Sequence, residues 1–286
     1  DLSSGSFQHG PYTKFVIRDP KERIINKATV RDRVIHRMLY NYLLPVFHPR
    51  WLDCSFSCRP GFGQHRAIAA VQRGLLQRTK NYTRTAFVLK CDVQKFFDHI
   101  DQAILYRLIA KRVRDEYLLA LVEKIIFSFG RGVGLPIGNL TSQIFANVYM
   151  HEFDWFVKHT LRRRLYYRFA DDFLFIVPTK RRAEELLALS REFLAEKLHL
   201  TLHPKKIILR PAAWGIDWLG KVLLPGYNLL RPKTRRRMMR KINEQVTAGN
   251  TFKALVPLLG SYHGLLIGTA RTKLDREIRQ MVALSR

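Results

Sequence analysis

Length and charge set the first limits on this sequence. Its 286 residues are enough for a full core and 47% of them are hydrophobic, which excludes a disordered basic tail. Lysine and arginine number 50 against 23 acidic residues, a formal net charge of +27. Such self-repulsion favours a polyanionic partner, and nucleic acid is the first candidate.

Membrane and disulfide classes are also disfavoured. No uncharged apolar run reaches spanning length, and the first residues lack the apolar core of a signal peptide, so we expect a cytoplasmic protein without membrane contact. Three cysteines do not make a disulfide framework. Cys54, Cys58 and nearby His65 lack a fourth ligand at suitable spacing, so we expect no zinc site.

The N-terminal part is basic and rich in turn signals, with two helical patterns. In the first, Val30, Val34, Met38 and Leu39 recur at helical spacing and predict an apolar face, with Pro45 ending the helix. The second pattern is the segment HRAIAAVQRGLL. Both helices precede the first strong strand pattern.

That strand pattern is TAFVLKCDV, which carries Asp92 at its end, and Asp98 is placed to begin a helix. After a glycine-rich loop, Asn139 or Thr141 is expected to cap a long helix. Its apolar residues recur at three-and-four spacing and predict one face packed on a core. They are Ile144, Phe145, Val148, Tyr149, Phe153, Phe156 and Val157.

Two adjacent carboxylates, Asp171 and Asp172, interrupt the apolar segment RFADDFLFIV. With LYYRF before it, the segment predicts a β-hairpin that carries the acids at its tip. A desolvated carboxylate is costly unless a positive group neutralises it, so the pair requires a cationic partner. The alternative is a polar tip that faces water.

The rest of the chain adds a helix, two strand-like segments and a basic region. The helix is KRRAEELLALSREFLAEKL, and the strand-like segments are LTLHPKKIILR and GIDWLGKVLL. From Arg231 the composition shifts to RPKTRRRMMRKI, followed by helical sequence to the end. We expect a further unit to begin there.

Asp92 and Asp171 lie at the ends of two predicted strands. Carboxylates at neighbouring strand ends can share two Mg²⁺ ions about 4 Å apart, an arrangement suited to in-line phosphoryl transfer. The ions would also supply the positive charge that the acidic pair requires. The spacing of the two residues does not establish this mechanism by itself.

Several ordered motifs resemble those of reverse transcriptases. The segments LKCDVQKFFDHID, GLPIGNLTSQIFANVYM, RFADDFLFIV, LHPKKIIL and WLGKVL are similar to the successive palm motifs. Upstream, RDPKERIINKATVRDRVIHRMLYNYLLPVF and SFSCRPGFGQHRAI resemble the fingers motifs, so the likeness runs from about Phe7 to the C-terminus.

The resemblance implies an α+β right-hand polymerase, with fingers, a palm whose antiparallel β-sheet is covered by helices, and a helical thumb. The fingers would comprise residues 1–85, the palm 86–228 and the thumb 229–286. A helical insertion contributed to the fingers would lie around residues 100–135.

The resemblance also assigns the catalytic centre. Asp92 and Asp171 would bind the metal ions, Val93 would offer its backbone carbonyl to a metal, and Asp172 would support them. Lys206 would assist the departure of pyrophosphate, although a shift by one residue to Lys205 stays open.

Further residues are assigned to the substrate and the nucleic acid. Phe97 falls at the steric-gate position, where an aromatic ring favours dNTPs; a core position beside Phe96 is the alternative. The other candidate nucleotide contacts are Arg23, Arg31, Arg33 and Gln143. The candidate template and primer contacts are Gly138, Asn139, Trp218, Leu219, Gly220, Arg235, Arg236 and Arg237. Capping is the alternative for Asn139, and a solvated face is the alternative for the arginines.

The implied cofactors are two Mg²⁺ ions, for which Mn²⁺ can substitute, together with dNTP substrates. The implied partners are an RNA template and an RNA–DNA hybrid.

Three segments indicate the class of reverse transcriptase. They are most similar to reverse transcriptases of diversity-generating retroelements and related group II intron-like enzymes, and they are HGPYTKFVIRDPKERII, IGNLTSQIFANVYM and WLGKVLLPGYNLLRPKTRRR. That class implies mutagenic retrohoming and a small basic helical accessory protein. FADD departs from the commoner tyrosine at its first position.

Three alternatives remain open. The polymerase could serve a phage-defence or retron-like system. A non-catalytic RNA-binding protein would equally explain the charge. A two-metal nuclease could use Glu123 or Glu152 as a third acid, but that class leaves the palm-like segments unexplained.

Overall fold

The computed structural model describes residues 5–18, 22–250, 252–270, 274, 276–278 and 280. Residues 281–286 of the expected thumb lie outside the described residues. The chain divides into two compact units, Asp1–Val71 with Phe87–Leu209, and Gln72–Ala86 with Arg210–Arg286. The division into fingers, palm and thumb stays a prediction. Within the described ranges, no helix is both long enough and apolar enough to cross a bilayer.

Groups of helices and groups of strands follow one another along the chain, as in an α+β fold. The helices are α1 (Val30–Phe47), α2 (Gln64–Thr79), α3 (Phe96–His99), α4 (Gln102–Ala110), α5 (Glu116–Ile126), α6 (Leu140–Trp155), α7 (Lys180–Leu198), α8 (Pro232–Thr247) and α9 (Phe252–Leu266). The strands are β1 (Thr13–Ile17), β2 (Arg23–Lys27), β3 (Phe87–Asp92), β4 (Tyr166–Phe169), β5 (Asp172–Val177), β6 (Ile208–Pro211), β7 (Ile216–Trp218), β8 (Lys221–Leu224) and β9 (Tyr227–Leu230).

The first unit is built around a sheet in which β5 lies between β4 and β3. Both β3 and β4 pair with β5 in antiparallel register, so the predicted hairpin and strand are confirmed. Phe173, Leu174 and Phe175 follow one another in β5 and are all fully buried, so this central strand is covered on both faces. Helix α7 packs on β3 and β5.

Helix α6 is the central helix of this core. The predicted face is confirmed, since Ile144, Phe145, Val148 and Tyr149 are all buried. The chain continues beyond Trp155 in a π-helical turn, Phe156–Thr160. Helix α1 packs against α6, which places both helices in the same hydrophobic cluster as the sheet.

The prediction for α1 was wrong in two respects. Val30, Val34 and Met38 are exposed, and the helix instead buries Leu39 with Ile35, His36, Leu43 and Phe47. The buried face is fixed by polar as well as apolar contacts, because Nδ1 of His36 lies 2.7 Å from the hydroxyl of Thr141 in α6.

Pro45 also lies inside α1 and does not end it. Proline removes one helical hydrogen bond, but here only two residues of the helix follow it. Burial of Phe47 at the end of the helix offsets that loss.

Two predicted caps differ in detail. Asp98 lies within the single turn α3, and Asp101 caps the next helix, because its carboxylate accepts the backbone N–H of Ile104 at 2.8 Å. Asn139 does occupy the position before α6, but its side chain makes no capping bond. Its amide instead donates to the carbonyl of Asn26 at 2.9 Å.

The sequence patterns did not predict the two-stranded sheet β1-β2. All five residues of β1 are exposed, so the strand lacks the alternation that marks a half-buried strand. The N–H of Asn26 donates to the carbonyl of Ile137 at 2.8 Å, which attaches β2 to the loop before α6.

The second unit has its own sheet and core. The segment GIDWLGKVLL forms β7 and β8, which turn at Leu219 and Gly220, and β9 completes an antiparallel sheet in the order β7-β8-β9. Helix α8 lies in the predicted basic region and packs with α9. The buried residues of their cluster are Leu230, Met238, Ile242, Leu255, Tyr262, Leu266 and Leu274.

Candidate active site

Two paired strands bring the predicted catalytic acids together. Asp92, the last residue of β3, lies directly opposite Asp172, the first residue of β5. Asp171 is in the turn before β5, and its carbonyl accepts the N–H of Val93 at 3.2 Å. The carbonyl of Asp92 accepts the N–H of His203 at 2.8 Å. Backbone pairing on both sides therefore fixes the positions of these acids.

Two lysines form ion pairs with two of the three acids, Asp92 and Asp172. Nζ of Lys206 lies 2.6 Å from Oδ1 of Asp92, and Nζ of Lys90 lies 3.2 Å from Oδ2 of Asp172. Lys90 is two residues before Asp92 on β3, so its side chain extends from the same face of the sheet. The Asp172–Lys90 pair is well shielded, whereas Lys206 is 42% exposed. Asp171 has no side-chain ion pair among the described residues.

Burial and like charge make the two adjacent acids harder to ionise. Burial raises the pKa of Asp172 to about 7, although Lys90 opposes the shift. Burial and the neighbouring charge of Asp92 raise the pKa of Asp171, against the charges of Lys206 and Arg23. Because the ionised forms of these carboxylates are destabilised, a further positive charge nearby would stabilise them.

The donor atoms suit a hard divalent cation. Asp92, Asp171 and the Val93 carbonyl offer oxygen ligands, which Mg²⁺ prefers. Oδ1 of Asp172 is buried and accepts no hydrogen bond from the described residues. The described ranges contain no group of three or more His, Cys, Asp or Glu side chains arranged to hold a metal.

A buried ion pair contacts the turn that carries Asp171, which we call the acidic turn (residues 170–172). Arg168 and Asp154 are both fully buried and form two hydrogen bonds of 2.8 and 2.6 Å. Arg168 also donates to the carbonyl of Ala170 at 2.9 Å, and Ala170 has a φ of 56°. Burial alone would lower the pKa of Arg168, but the charge and hydrogen bonds of Asp154 raise it. Arg168 therefore stays charged and anchors the residue that precedes Asp171.

The family of the chain follows from a match that covers well over half of it. The model of the family described as "Reverse transcriptase (RNA-dependent DNA polymerase)" matches residues 17–223. The chain belongs to the reverse transcriptase family. The prediction of an RNA-directed DNA polymerase is thereby confirmed at the level of the family.

Curated relatives of this reverse transcriptase are distant. Protein YkfC of Escherichia coli K12 is 26% identical over 304 residues, covering 91% of this chain and 77% of the relative. The group II intron-encoded protein LtrA of Lactococcus lactis is 25% identical over 167 residues, covering 54% of this chain and 27% of LtrA. These matches agree with the expected likeness to group II intron enzymes.

Solved structures confirm the right-hand polymerase fold. Telomerase from Candida albicans, in complex with a fragment of telomeric RNA, superposes with a TM-score of 0.59 at 14% identity, covering 99% of this chain and 56% of that one. Apo telomerase from Candida tropicalis gives a TM-score of 0.60 at 14% identity, covering 89% and 52%. The reverse transcriptase thus spans about half the length of these telomerase chains.

The predicted nucleotide contacts have different surroundings. Phe97 is partly exposed, packs edge-on against buried Phe96 with ring centroids 5.3 Å apart, and lies beside the core. Gln143, Arg23 and Arg33 are exposed. The positive charge of Arg23 acts to lower the pKa of Asp171. Arg31 instead donates to the carbonyl of Gln8 at 2.6 Å and lies beside Asp32. The environment of Arg31 favours a structural role.

Two predicted template contacts join β2 to the loop before α6. Gly138 has a φ of 113°, and a Cβ there would lie 2.6 Å from the Ile25 side chain, so only glycine fits. Asn139 is buried and bonded to Asn26. Both contacts are structural, and the assignment of these residues to the template stays a prediction.

The remaining predicted contacts belong to the second unit. Trp218 is fully buried, so its ring cannot stack on a base, and its neighbours Leu219 and Gly220 form the β7–β8 turn. On α8, Arg235 pairs with Glu277 at 2.7 Å, Arg236 is exposed and Arg237 is partly buried. Their assignment to primer and duplex also stays a prediction.

Sequence reasoning missed Lys90 and Arg168. A signal for Arg168 was present, since it is two residues after Tyr166 and therefore shares the inward face of β4. Lys90 required knowledge of the β3–β5 register, because it meets an acid that is 82 positions later in the chain. Single-strand patterns do not contain that register.

Proposed function

We propose that this reverse transcriptase makes cDNA on an RNA template, with Asp92 and Asp171 as its metal-binding acids. The main observation behind this proposal is the pairing of β3 with β5, which places Asp92 opposite Asp172 and close to Asp171. Four carboxylate oxygens from Asp92 and Asp171, with the Val93 carbonyl, form the donor set. A purely RNA-binding protein has no need of this costly grouping of acids.

In the proposed reaction Asp92 and Asp171 would hold Mg²⁺, which when bound would supply Lewis acidity for phosphoryl transfer. The chain's own residues hold and orient the primer hydroxyl and the triphosphate. Asp92 and Asp171 are fixed by backbone bonds and therefore lose little freedom on binding. Lys90 neutralises Asp172, which keeps the second acid of the turn from repelling the phosphates. Lys206, half-exposed beside Asp92, is placed to give a proton or positive charge to the leaving pyrophosphate.

Discrimination against ribonucleotides is proposed to rest on Phe97. Phe96 is buried in the core, whereas part of the Phe97 ring is accessible. Replacing Phe97 with alanine should raise the use of rNTPs relative to dNTPs by about 10- to 100-fold, because the space for a 2′-hydroxyl opens. Single-nucleotide kinetics with dTTP and UTP measure the ratio.

The matched control for that substitution is Phe96→Leu, which perturbs the same aromatic pair from the core side. It should lower stability and leave the ratio of UTP to dTTP use unchanged. An unchanged ratio in Phe97→Ala would assign the ring to packing alone.

We further propose a diversity-generating retroelement as the biological setting, with mutagenic retrohoming as the outcome. Its support is the likeness of the segments His9–Ile25, Ile137–Met150 and Trp218–Arg237 to that class. The proposed partners are a template-repeat RNA and a small basic helical accessory protein. A phage-defence or retron-like role is the alternative use of the same polymerase.

The direct test is incorporation of labelled dTTP on oligo(dT)-primed poly(rA), with Mg²⁺ or Mn²⁺. We expect incorporation that stops on chelation and weakens steeply with salt, because phosphate contacts release counterions. Binding of the hybrid without incorporation in either metal would favour the non-catalytic alternative.

Sequencing cDNA made from a mixed-sequence RNA then tests the proposed biological setting. Errors concentrated at template adenines support the diversity-generating class, and evenly spread errors contradict it.

A further inference from the structure

A pocket lies in the first unit, and neither Asp171 nor Asp172 lines it. It has a volume of about 400 Å³ and lies among the ends of α1, α4 and α6. Its floor is apolar and buried, formed by Phe47, Leu108 and Val148. A pocket of this size, with an apolar floor and polar walls, is typical of a ligand site.

The rim of this pocket is strongly basic. Arg50, Lys111 and Arg112 line it and are exposed, against a single carboxylate, Glu152. The side chains of Lys111 and Arg112 form no hydrogen bond or ion pair with the rest of the described chain. Two cations with no partner at a concave site favour an anionic ligand.

An aromatic wall completes the pocket. Trp155, the last residue of α6, lines it and is 51% exposed. His159 stacks on its ring, with the ring centroids 3.7 Å apart and an interplanar angle of 20°. His151 is mostly buried in the wall, and its Nδ1 has no hydrogen-bond partner among the described residues. Its environment is desolvated, and burial lowers the pKa of His151, so the ring is neutral near pH 7.

We propose that this pocket binds a single-stranded nucleic acid segment outside the catalytic cleft. A base contacts Trp155 over the apolar floor, phosphates meet Arg50, Lys111 and Arg112, and His151 bonds to the base or sugar. Aromatic side chains next to cations are the usual means of binding single strands. The pocket lies about 18 Å along α6 from Gln143, the predicted nucleotide contact, at the helical rise of 1.5 Å per residue.

An acidic peptide would also satisfy the cations, but it would leave the exposed indole and the apolar floor without a matching group. A nucleotide supplies an anion and a flat aromatic ring together, which is why we favour it. The inference rests on the proposed function only in that the protein handles nucleic acid. Its deciding readout is binding of the single strand, and extension of the hybrid serves only as a control, so the two proposals can fail separately.

The test compares binding of labelled (rU)₁₂ and (dU)₁₂ by fluorescence anisotropy in the presence of saturating short RNA–DNA hybrid, which occupies the catalytic cleft. Trp155→Ala should weaken binding about 5- to 150-fold, the value of one stacked base. The pair Lys111→Gln with Arg112→Gln should reduce the slope of log K against log salt by about 1.4, for two lost phosphate contacts.

The matched control removes two positive charges from α7, as Arg181→Gln with Lys197→Gln, both of which are exposed. It should leave binding nearly unchanged, and every variant should extend the short hybrid at the wild-type rate. Photocrosslinking of (rU)₁₂ that carries 4-thiouridine should give an adduct on the peptide with Trp155.

The outcomes separate the possible ligands. If Trp155→Ala weakens binding of both (rU)₁₂ and (dU)₁₂, the ligand is a single strand with either sugar. If it weakens binding of (rU)₁₂ alone, the ligand is RNA. Both results support the site. An unchanged affinity in Trp155→Ala, an equal loss in the α7 control, or competition by polyglutamate as strong as that by oligonucleotide would overturn it.

Discussion

Replacing Asp171 with asparagine should abolish synthesis without weakening the fold. The turn holds Asp171 in a site that raises its pKa, mainly through burial and then through the charge of Asp92. A carboxylate whose pKa is raised by folding is less stable as an anion in the native state than in the unfolded chain, so at pH 7 its charge opposes folding. Asparagine removes that charge and keeps the size of the side chain.

The expected loss of activity is more than about 10³-fold, at or beyond the upper end of what removal of one electrostatic contact costs an enzyme. Asp92→Asn should cause a similar loss. Asp172→Asn should cost about 10- to 100-fold, as expected for a group that supports metal ligands without being one. Primer extension measures activity, and thermal unfolding measures stability, with a midpoint in Asp171→Asn at or above that of the wild type.

Asp98→Asn is the matched control, because Asp98 is an exposed acid in the same segment, six residues after Asp92. It should retain wild-type activity and unfolding. Retained synthesis in Asp171→Asn would remove the proposed mechanism. A large fall in its unfolding midpoint would mean that the carboxylate stabilises the fold, contrary to its environment.

The strands that carry the acids were predictable because their apolar runs are strong. TAFVLKCDV and RFADDFLFIV each place a carboxylate next to residues that can only be buried, which determines the element type and the position of the acid. The helix α6 was predictable for the same reason, since its apolar residues recur over four turns.

The elements that could not be predicted depend on partners remote in sequence. Val30, Val34 and Met38 form as good an apolar stripe as the residues that α1 buries, and the choice of face is made by α6. Strand β1 has no buried face and is defined only by its pairing with β2. Local periodicity contains neither kind of information.

The candidate site likewise contains residues that could be predicted from the sequence and residues that could not. Motif order located Asp92, Asp171 and Lys206, and the geometry brings these residues together. The counter-ion Lys90 and the buried pair of Arg168 with Asp154 depend on strand register and helix packing, which no single segment specifies. Buried charges pair across elements, so they are visible only when the elements are assembled.

The second large effect is expected at that buried pair. Arg168→Met leaves Asp154 as an unpaired charge in the core, so the free energy of unfolding should fall by about 3–5 kcal/mol. Tyr166, which donates to Asp154 at 2.8 Å, cannot replace a full positive charge. Denaturant unfolding measures the loss, and Arg181→Met on the exposed face of α7 is the control that should unfold like the wild type.

Loss of stability alone would not show that Arg168 positions the catalytic turn, and a double variant separates the two roles. Arg168→Met with Asp154→Leu removes both charges, and replacing a buried ion pair with apolar residues is often neutral for stability. The double variant should therefore recover most of the lost stability. It should remain poorly active, because the carbonyl of Ala170 still lacks the guanidinium that holds it.

The kinetic signature of that positioning role is a fall in kcat with little change in the affinity for the hybrid, since a misplaced acid affects the reacting centre and not the phosphate contacts. Full recovery of kcat in the stable double variant would show that Arg168 acts only through stability. Low kcat in a stable protein would mean that the buried charge serves the geometry of Asp171, which explains why the core retains an ion pair where apolar residues would suffice.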